Sequence, residues 1–326
     1  MQSEIMVTVL CTAYNHEAYI RTCLDGMVGQ VTDFKYEILI NDDVSSDGTA
    51  AIIREYAERC PDKIRAFFPE KNLYSQGINV YDAVFFPAAR GKYTAICEGD
   101  DYWTDPTKLQ RQVDFLEAHP EYSACVHDTE LLFCDGARPD EKLVSHGEDC
   151  DIEFADILQG MNHAFHTSSI LGKTALLAET PDFYHVADSY GFTDFPYALW
   201  LRLNGKIRCL ARVMSVYRLN SGADSWSSDK EAQTRKLTRF YRGVIAMLEA
   251  FRGHVRDEAL LKLVDENLVR WNFDLLYILG RDKELRSPPY RAILKTKPLS
   301  FRVKNAVKCA FPALHRLYRK ARGYNE

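Results

Sequence analysis

The sequence predicts an α/β fold: a Rossmann-like, mostly parallel central sheet flanked by helices, with a helical extension at its C-terminal end. Three observations carry this. Short apolar runs bounded by turn residues alternate with stretches of helical period through the first 120 residues, the rhythm of βαβ units. Polar and acidic clusters follow the first, second and fourth runs, at the strand ends where open parallel sheets bind ligands. Beyond residue 230 two long helical periods follow one another.

The elements follow in order. Residues 5–11 read as a buried strand, broken by Thr12-Ala13-Tyr14-Asn15, after which Ala18, Ile20, Cys23, Leu24 and Met27 recur at helical spacing. Residues 36–40 form a second strand, stopped by the polar cluster at 41–48. A helix follows at 49–59, with Ala50, Ile53 and Ala57 on one face and charges opposite. A third strand is expected at 64–68, a helix at 80–89, and a fourth strand at 93–97 that ends on Glu98-Gly99-Asp100-Asp101. Pro106 opens the next helix, which runs to about His119, since proline is tolerated at a first helical position. Residues 121–220 are less regular, with short strands at 123–127 and 168–171 and a helix at 194–204. Helices at 230–251 and 257–279 complete the pattern, so the expected division is a domain over 1–225 and a helical extension over 226–326.

Composition narrows the class. Of 326 residues, 46% are hydrophobic and 27% charged, ordinary for a folded domain with a sizeable core. No stretch approaches the roughly 18–20 uncharged apolar residues of a spanning helix. The start, MQSEIMVTVL, lacks a basic region and an apolar signal core, so no signal peptide is read and a cytoplasmic location is expected. Nine scattered cysteines without a CxxC pair argue against a disulfide framework and against a zinc site by spacing; Cys11 and Cys97 read as small core residues. The net charge of −5 conceals an asymmetry: residues 281–326 hold 13 Lys and Arg against 3 Asp and Glu. A basic tail on an acidic body points to a polyanionic surface as a partner for the tail alone.

Chemistry concentrates in the strand-end clusters. Adjacent carboxylates at Glu98-Gly99-Asp100-Asp101 repel one another unless a cation lies between them, and hard oxygen ligands at that density suit Mg²⁺ or Mn²⁺, which in turn neutralise a diphosphate. Alone, such a loop is often a solvated acidic turn. Asn41-Asp42-Asp43 with Asp47 is composed of ordinary turn residues, yet at a strand end Asp43 becomes a candidate to accept a nucleobase N–H. Tyr14, beside the turn after the first strand, is placed either to stack on a base or to pack.

The segments TAYNHEAYIRTCLDGMVGQ, EILINDDVSSDGT and GKYTAICEGDDYWTDPTKLQRQVDFLEAHPE, in this order and spacing, resemble the successive signatures of family 2 inverting glycosyltransferases with the GT-A fold, of the type that builds bacterial surface polysaccharides. The resemblance spans roughly residues 5–220. It implies a nucleotide-sugar donor, uridine-based, with Thr12, Tyr14 and Asp43 holding the base and Ala13, Asn15 and Asp42 beside them. It implies Asp101 as a direct metal ligand, Asp100 nearer the ribose and phosphates, and Glu98 in the first acidic position, where aspartate is more usual. An inverting transfer needs one carboxylate to take the acceptor's proton; by resemblance Asp194 in Thr193-Asp194-Phe195-Pro196 is that base, with Asp188 a nearby rival and helix capping the structural alternative. Likewise His163 and His166 match a stretch lining the acceptor or donor-sugar side, and Arg218 with residues 221–226 a flap over the diphosphate. A Q-x-x-R-W motif is absent, which favours single addition to a glycan or lipid-linked acceptor over polymerisation. A sugar nucleotidyltransferase would carry a glycine-rich loop after the first strand, where Thr12-Ala13-Tyr14-Asn15 stands; a non-catalytic nucleotide-sugar-binding module is the other alternative.

The tail from 286 to 322 mixes Lys and Arg with Tyr290, Phe301, Phe311, Leu314, Leu317 and Tyr318. Near-helical apolar spacing from 301 to 318, interrupted by Pro312, fits a basic amphipathic segment on an anionic membrane, at about 1 kcal/mol per well-placed Lys or Arg. A docked terminal helix with a solvated basic face fits as well. No nucleic-acid-binding motif is present, so nucleic acid is not expected as a partner.

Overall fold

A computed structural model of the chain describes residues 5–134, 141–144, 146–219 and 230–310. Two compact units emerge: residues 1–181 with 193–223, and residues 182–192 with 224–326. The segment 182–192 therefore belongs with the helical unit, which a single cut at 225 does not capture.

In the first unit, β1 (Ile5–Ala13), α1 (Ile20–Val28), β2 (Lys35–Asp42), α2 (Thr49–Arg59) and β3 (Ile64–Phe67) precede a π-helical turn at Tyr81–Phe85 that runs into α3 (Phe86–Ala88). Next come β4 (Tyr93–Ile96), β5 (Tyr102–Trp103), α4 (Lys108–Ala118), β6 (Tyr122–Phe133), β7 (Glu141–Val144), β8 (Cys150–Asp151), α5 (Phe154–Leu158), β9 (Leu171–Lys173) and α6 (Thr174–Leu177). After the segment that belongs to the other unit, which contributes α7 (Asp182–Ser189), α8 (Asp194–Leu203) and β10 (Lys206–Leu219) close the sheet. Its strand order is β3-β2-β1-β4-β9-β6-β10-β5. The long ladders, β1 with β2 and β6 with β10, are parallel, and the antiparallel pairings are short.

Alternation along β1 builds two cores. Val7, Val9 and Cys11 face Ile20, Cys23, Leu24 and Met27 of α1, together with Ile38 and Ile40 of β2. On the other face Leu10 and Leu39 pack on Phe85. A parallel strand covered on both sides must be apolar on both sides, which is why the strand signals are continuous runs. Cys11 and Cys97 are fully buried in the first core. At that sheet's other polar point, Thr8 Oγ1 donates to Glu37 Oε1 (2.9 Å), and Arg90 Nε donates to Glu37 Oε2 (2.9 Å).

Some elements differ from the sequence expectation for local reasons. The expected helix at 80–89 is a π turn followed by a short α turn, because Pro87 has no N–H to continue the regular ladder. α4 starts after Pro106, because Asp105 Oδ1 accepts both the backbone N–H and the hydroxyl of Thr107. Residues 167–169 form a 3₁₀ turn rather than a strand, held by Ser169 Oγ donating to the His166 carbonyl (2.6 Å). β10 runs 14 residues with register shifts between Leu210 and Ser215; such bulges weaken its period-2 signal.

The helical unit contains α7, α9 (Lys230–Arg252), α10 (Glu258–Ile278), α11 (Tyr290–Thr296) and α12 (Leu299–Ala310). Asp257 caps α10 by accepting the Leu260 N–H (2.7 Å). Phe183 of α7 meets Phe251 of α9 edge to face, and Tyr241 meets Trp271 of α10. α12 docks through one face: Phe301 lies against Phe273 and Tyr277, and Asn305 Nδ2 donates to Asp282 Oδ1 (2.9 Å). Leu299, Val303 and Val307 of α12 stay exposed. The expected flap residues 221–226 and the tail from 311 lie outside the described residues. Among the described residues no helix is long and apolar enough to cross a membrane.

Candidate active site

The carboxyl ends of β1, β2 and β4 converge, as parallel pairing of β1 with both neighbours requires. Asp43 N–H donates to the Ala13 carbonyl (2.9 Å) and Gly99 N–H to the Thr12 carbonyl (2.8 Å), stitching the three strand-end loops together. Gly99 is needed for this approach: a Cβ there would lie 2.8 Å from His16 Nδ1 and 3.1 Å from the Thr12 carbonyl.

Asp101 is the centre of the acidic loop. It is 1% exposed, and its Oδ1 accepts the Arg218 backbone N–H (3.0 Å). Its Oδ2 is buried without a hydrogen-bond partner, and the nearest basic group, His166 Nδ1, is 3.9 Å away. Burial, then the charges of Asp100 and Glu98, push its carboxyl well up. Ligand oxygens of Glu98, Asp100 and Asp101 all lie within 4.8 Å of one another. A buried carboxylate oxygen with no donor, beside two more carboxylates, is the donor set a hard divalent cation completes. The residues present therefore fit Mg²⁺ or Mn²⁺. Glu98 is exposed, and desolvation, then the charges of Asp100 and Asp194, push its carboxyl up to about 8.

Arg218 fastens this loop from β10. Beyond its backbone bond to Asp101, its Nη1 donates to the Asp100 carbonyl (2.6 Å), and its guanidinium lies over Tyr102 (4.3 Å) and Tyr19 (5.1 Å). It is 9% exposed, a brace of the loop and not an open surface group. His166 stacks on Tyr217 at 4.1 Å between centroids and pairs its Nδ1 with Ser168 Oγ (2.8 Å). Burial pulls this imidazole down to about 3, so it is neutral at physiological pH. His163, by contrast, is exposed on a 3₁₀ turn.

Asp194 is the first helical residue of α8, behind Thr193 at the N-cap. Its Oδ1 accepts the Phe195 N–H (2.8 Å), and burial pushes its carboxyl up. Its charge acts on both Glu98 and Tyr217, and Tyr217 also feels Asp101 and Asp100. All four carboxylates thus act electrostatically on one tyrosine. Asp188 sits on α7 in the helical unit.

The residues expected beside the base divide between open and anchored groups. Tyr14 is 44% exposed. Asn15 adopts the left-handed region (φ 55°), donates its N–H to Ser45 Oγ and accepts the Ser46 N–H at Oδ1. Asp43 Oδ1 and Oδ2 accept the N–H groups of Leu73 (2.7 Å) and Tyr74 (3.1 Å). Asp42 accepts the Ser45 N–H at Oδ2 and keeps Oδ1 buried without a partner.

Two residues at the site carried no assignment from sequence. His16 places Nε2 3.9 Å from Asp100 Oδ2, with burial lowering its basicity against the pull of Asp100. Tyr217, on β10, is the other. His16 stands within the first motif and could have been found there; nothing local marks Tyr217.

The profile described as Glycosyl transferase family 2 matches residues 8–129. An uncharacterized protein of Mycobacterium tuberculosis is 33% identical over 269 residues, 81% of this chain and 74% of that one. A UDP-Glc:alpha-D-GlcNAc-diphosphoundecaprenol beta-1,3-glucosyltransferase of Escherichia coli is 31% identical over 112 residues, 34% of this chain and 41% of its own. Among solved structures, S. aureus TarS 1-349 in complex with UDP superposes with a TM-score of 0.58 at 16% identity, covering 91% of this chain and 76% of that one. This last likeness shows the fold.

Proposed function

The chain belongs to glycosyl transferase family 2, and we propose that it moves a sugar from a uridine-based nucleoside diphosphate donor onto a hydroxyl of a glycan or lipid-linked acceptor, with inversion. One observation carries this reading: the orphaned, buried Asp101 Oδ2 beside Asp100 and Glu98, with Asp194 in electrostatic reach. The E. coli relative, a glucosyltransferase acting on a diphosphoundecaprenol-linked sugar, supports a role in assembling a surface polysaccharide.

Tyr14, with its exposed ring, stacks on the base, while Asp43 or the unpartnered Asp42 Oδ1 accepts its N–H; Thr12, Ala13 and Asn15 shape the same edge. Asp101 and Asp100, with Glu98, would hold Mg²⁺ or Mn²⁺, which when bound neutralises the diphosphate. Asp194 takes the acceptor hydroxyl's proton as its oxygen bonds to the anomeric carbon. The bond from that carbon to the diphosphate breaks on the opposite face, and its electron pair leaves with the diphosphate. A raised carboxyl pKa suits such a base, because basicity nearer the working pH strengthens proton uptake. His166, neutral and stacked on Tyr217, offers a hydrogen-bonding edge without adding charge beside the metal ligands.

The exposed Leu299, Val303 and Val307 of α12, with exposed Arg302 and Lys304 between them, support peripheral binding to an anionic lipid surface. Absence of co-sedimentation with anionic liposomes at low salt would remove that part alone.

For the transfer, the test is thermal stabilisation by a nucleotide-sugar panel, with and without Mg²⁺ or Mn²⁺, followed by turnover of the stabilising donor. A uridine donor should raise Tm only with metal, by mass action, and Asp101→Ala should abolish that shift. A metal-independent shift that survives Asp101→Ala would overturn the assignment.

A further inference from the structure

We propose that Asp128, His146 and Cys209 form a second cation site, of zinc type, separate from the acidic loop. Asp128 Oδ1 lies 3.0 Å from His146 Nδ1, Cys209 Sγ lies 3.3 Å from the same nitrogen, and the oxygen and sulfur are 3.9 Å apart. With Zn–O and Zn–N near 2.0 Å and Zn–S near 2.3 Å, tetrahedral ligation places such atoms about 3.3–3.5 Å apart. Each observed edge is within about 0.4 Å of that.

Hydrogen bonding alone serves this triangle poorly. A proton on Nδ1 satisfies Asp128, which also accepts the His146 backbone N–H (3.3 Å), and leaves the Cys209 thiol only long contacts to the Leu210 carbonyl (3.8 Å) and Asp128 Oδ1 (3.9 Å). Without that proton, the imidazole lone pair faces the carboxylate. A cation satisfies all three atoms together. Asp128 is 2% exposed and Cys209 fully buried, and among the described residues no Lys or Arg pairs with Asp128. One carboxylate, one imidazole and one thiol make a borderline-soft set that suits zinc over magnesium. His146 retains partial exposure, which leaves the fourth position to water.

The set is held in place by the chain itself. Gly147 takes a left-handed turn (φ 74°) directly after His146. Asp149 Oδ1 then accepts the Ala211 N–H (2.8 Å), and β8 sets Cys150 opposite Cys209. Asp128 and its neighbour Thr129 point to opposite faces of β6. Thr129 Oγ1 pairs with Ser215 Oγ (3.1 Å), and Ser215 with Ser168 beside His166. The cluster therefore lies across the sheet from the network behind Asp101. A bound ion would tie β6, β10 and the 146–151 segment together and release the Cys209 proton as it binds.

The test is titration of the chelator-treated full chain, under a non-thiol reductant, with Co²⁺. A thiolate-to-cobalt charge-transfer band should saturate at one equivalent, and Zn²⁺ should displace it. Oxygen-only ligation at Glu98, Asp100 and Asp101 gives no such band, so Asp101→Ala should retain it even if the transferase reading fails. Cys209→Ser should remove the band, and His146→Ala should weaken Co²⁺ at least tenfold. A wild-type chain with no band, or a band that survives Cys209→Ser, overturns the proposal. Should Cys209→Ser not fold, saturating Zn²⁺ on the wild type decides: a raised Tm in Asp101→Ala as well as wild type supports the site, and an unchanged Tm in both overturns it.

Discussion

Two buried carboxylates of the first unit are treated in opposite ways. Glu37, on β2, has a side chain 1% exposed and every oxygen supplied: Thr8 Oγ1 and the Arg90 backbone N–H on Oε1, Arg90 and Arg65 guanidinium groups on Oε2. Burial alone would push this carboxyl up; the hydrogen bonds of Arg90 and Thr8 outweigh that and hold it low. Asp101, equally buried, has one oxygen supplied and one orphaned, and its carboxyl is pushed up. The first is finished as structure. In the second, an unpaired buried oxygen costs stability and suits a cation, the division between folding and chemistry seen where sites sit on rigid sheets.

The largest test of this contrast is Asp101→Asn. It should lower turnover by three orders of magnitude or more, because a transition-state electrostatic interaction disappears. In metal-free protein it should also raise Tm, by about 2–4 °C if about 1 kcal/mol of repulsion is relieved. The sign follows from the raised pKa: the charged form's cost is fully present above the folded value and is relieved as pH falls toward the unfolded range near about 3.9. A drop in both activity and Tm would place Asp101 with Glu37 as a structural group.

Asp194→Asn should come next, with kcat reduced about 10²–10⁴-fold and metal-dependent donor binding retained. Normal turnover would remove Asp194 from the mechanism. Arg90→Ala then probes the other pole. Unfolding titrations should show a loss of about 1–3 kcal/mol as Glu37 loses the Arg90 guanidinium, with kcat of the folded enzyme unchanged. Glu37's contribution is present above the unfolded value near about 4.3 and lost as pH falls through the lower folded one, so the variant's acid limb should be flatter.

Val44 gives the smallest effect. It is a β-branched residue at φ 64°, next to Asp43. Val44→Gly relieves about 1–2 kcal/mol of left-handed strain and loses about 0.5–1 kcal/mol through unfolded-chain entropy. Stability measured by denaturant should be unchanged or higher by up to about 1.5 kcal/mol, and a clear loss would show that the loop does not need that conformation.

Some of this was legible in sequence because the signal is local. The continuous apolar runs of the first four strands, the bounds of α2 at 49–59, and the acidic loop after β4 are each written in consecutive residues. Motif order marks Asp100, Asp101 and Asp194 as candidates by resemblance. Elsewhere the local signal was weak or absent: β10 is bulged, α7 joins a different unit from its neighbours in sequence, and Arg218 holds the acidic loop from more than 100 positions away in sequence.

By itself, then, the sequence determined the α/β rhythm, the cluster at each strand end and the family, since period and spacing act over a few residues and survive in any fold that buries them. Tertiary structure alone decided which carboxylate is satisfied and which is orphaned. That depends on donors from residues 53 apart, in Glu37 and Arg90, or 117 apart, in Asp101 and Arg218. It alone brought Asp128, His146 and Cys209 together from positions whose spacing argued against a metal site. Hydrogen bonding and desolvation are properties of neighbours in space, and the chain records those neighbours only through the fold.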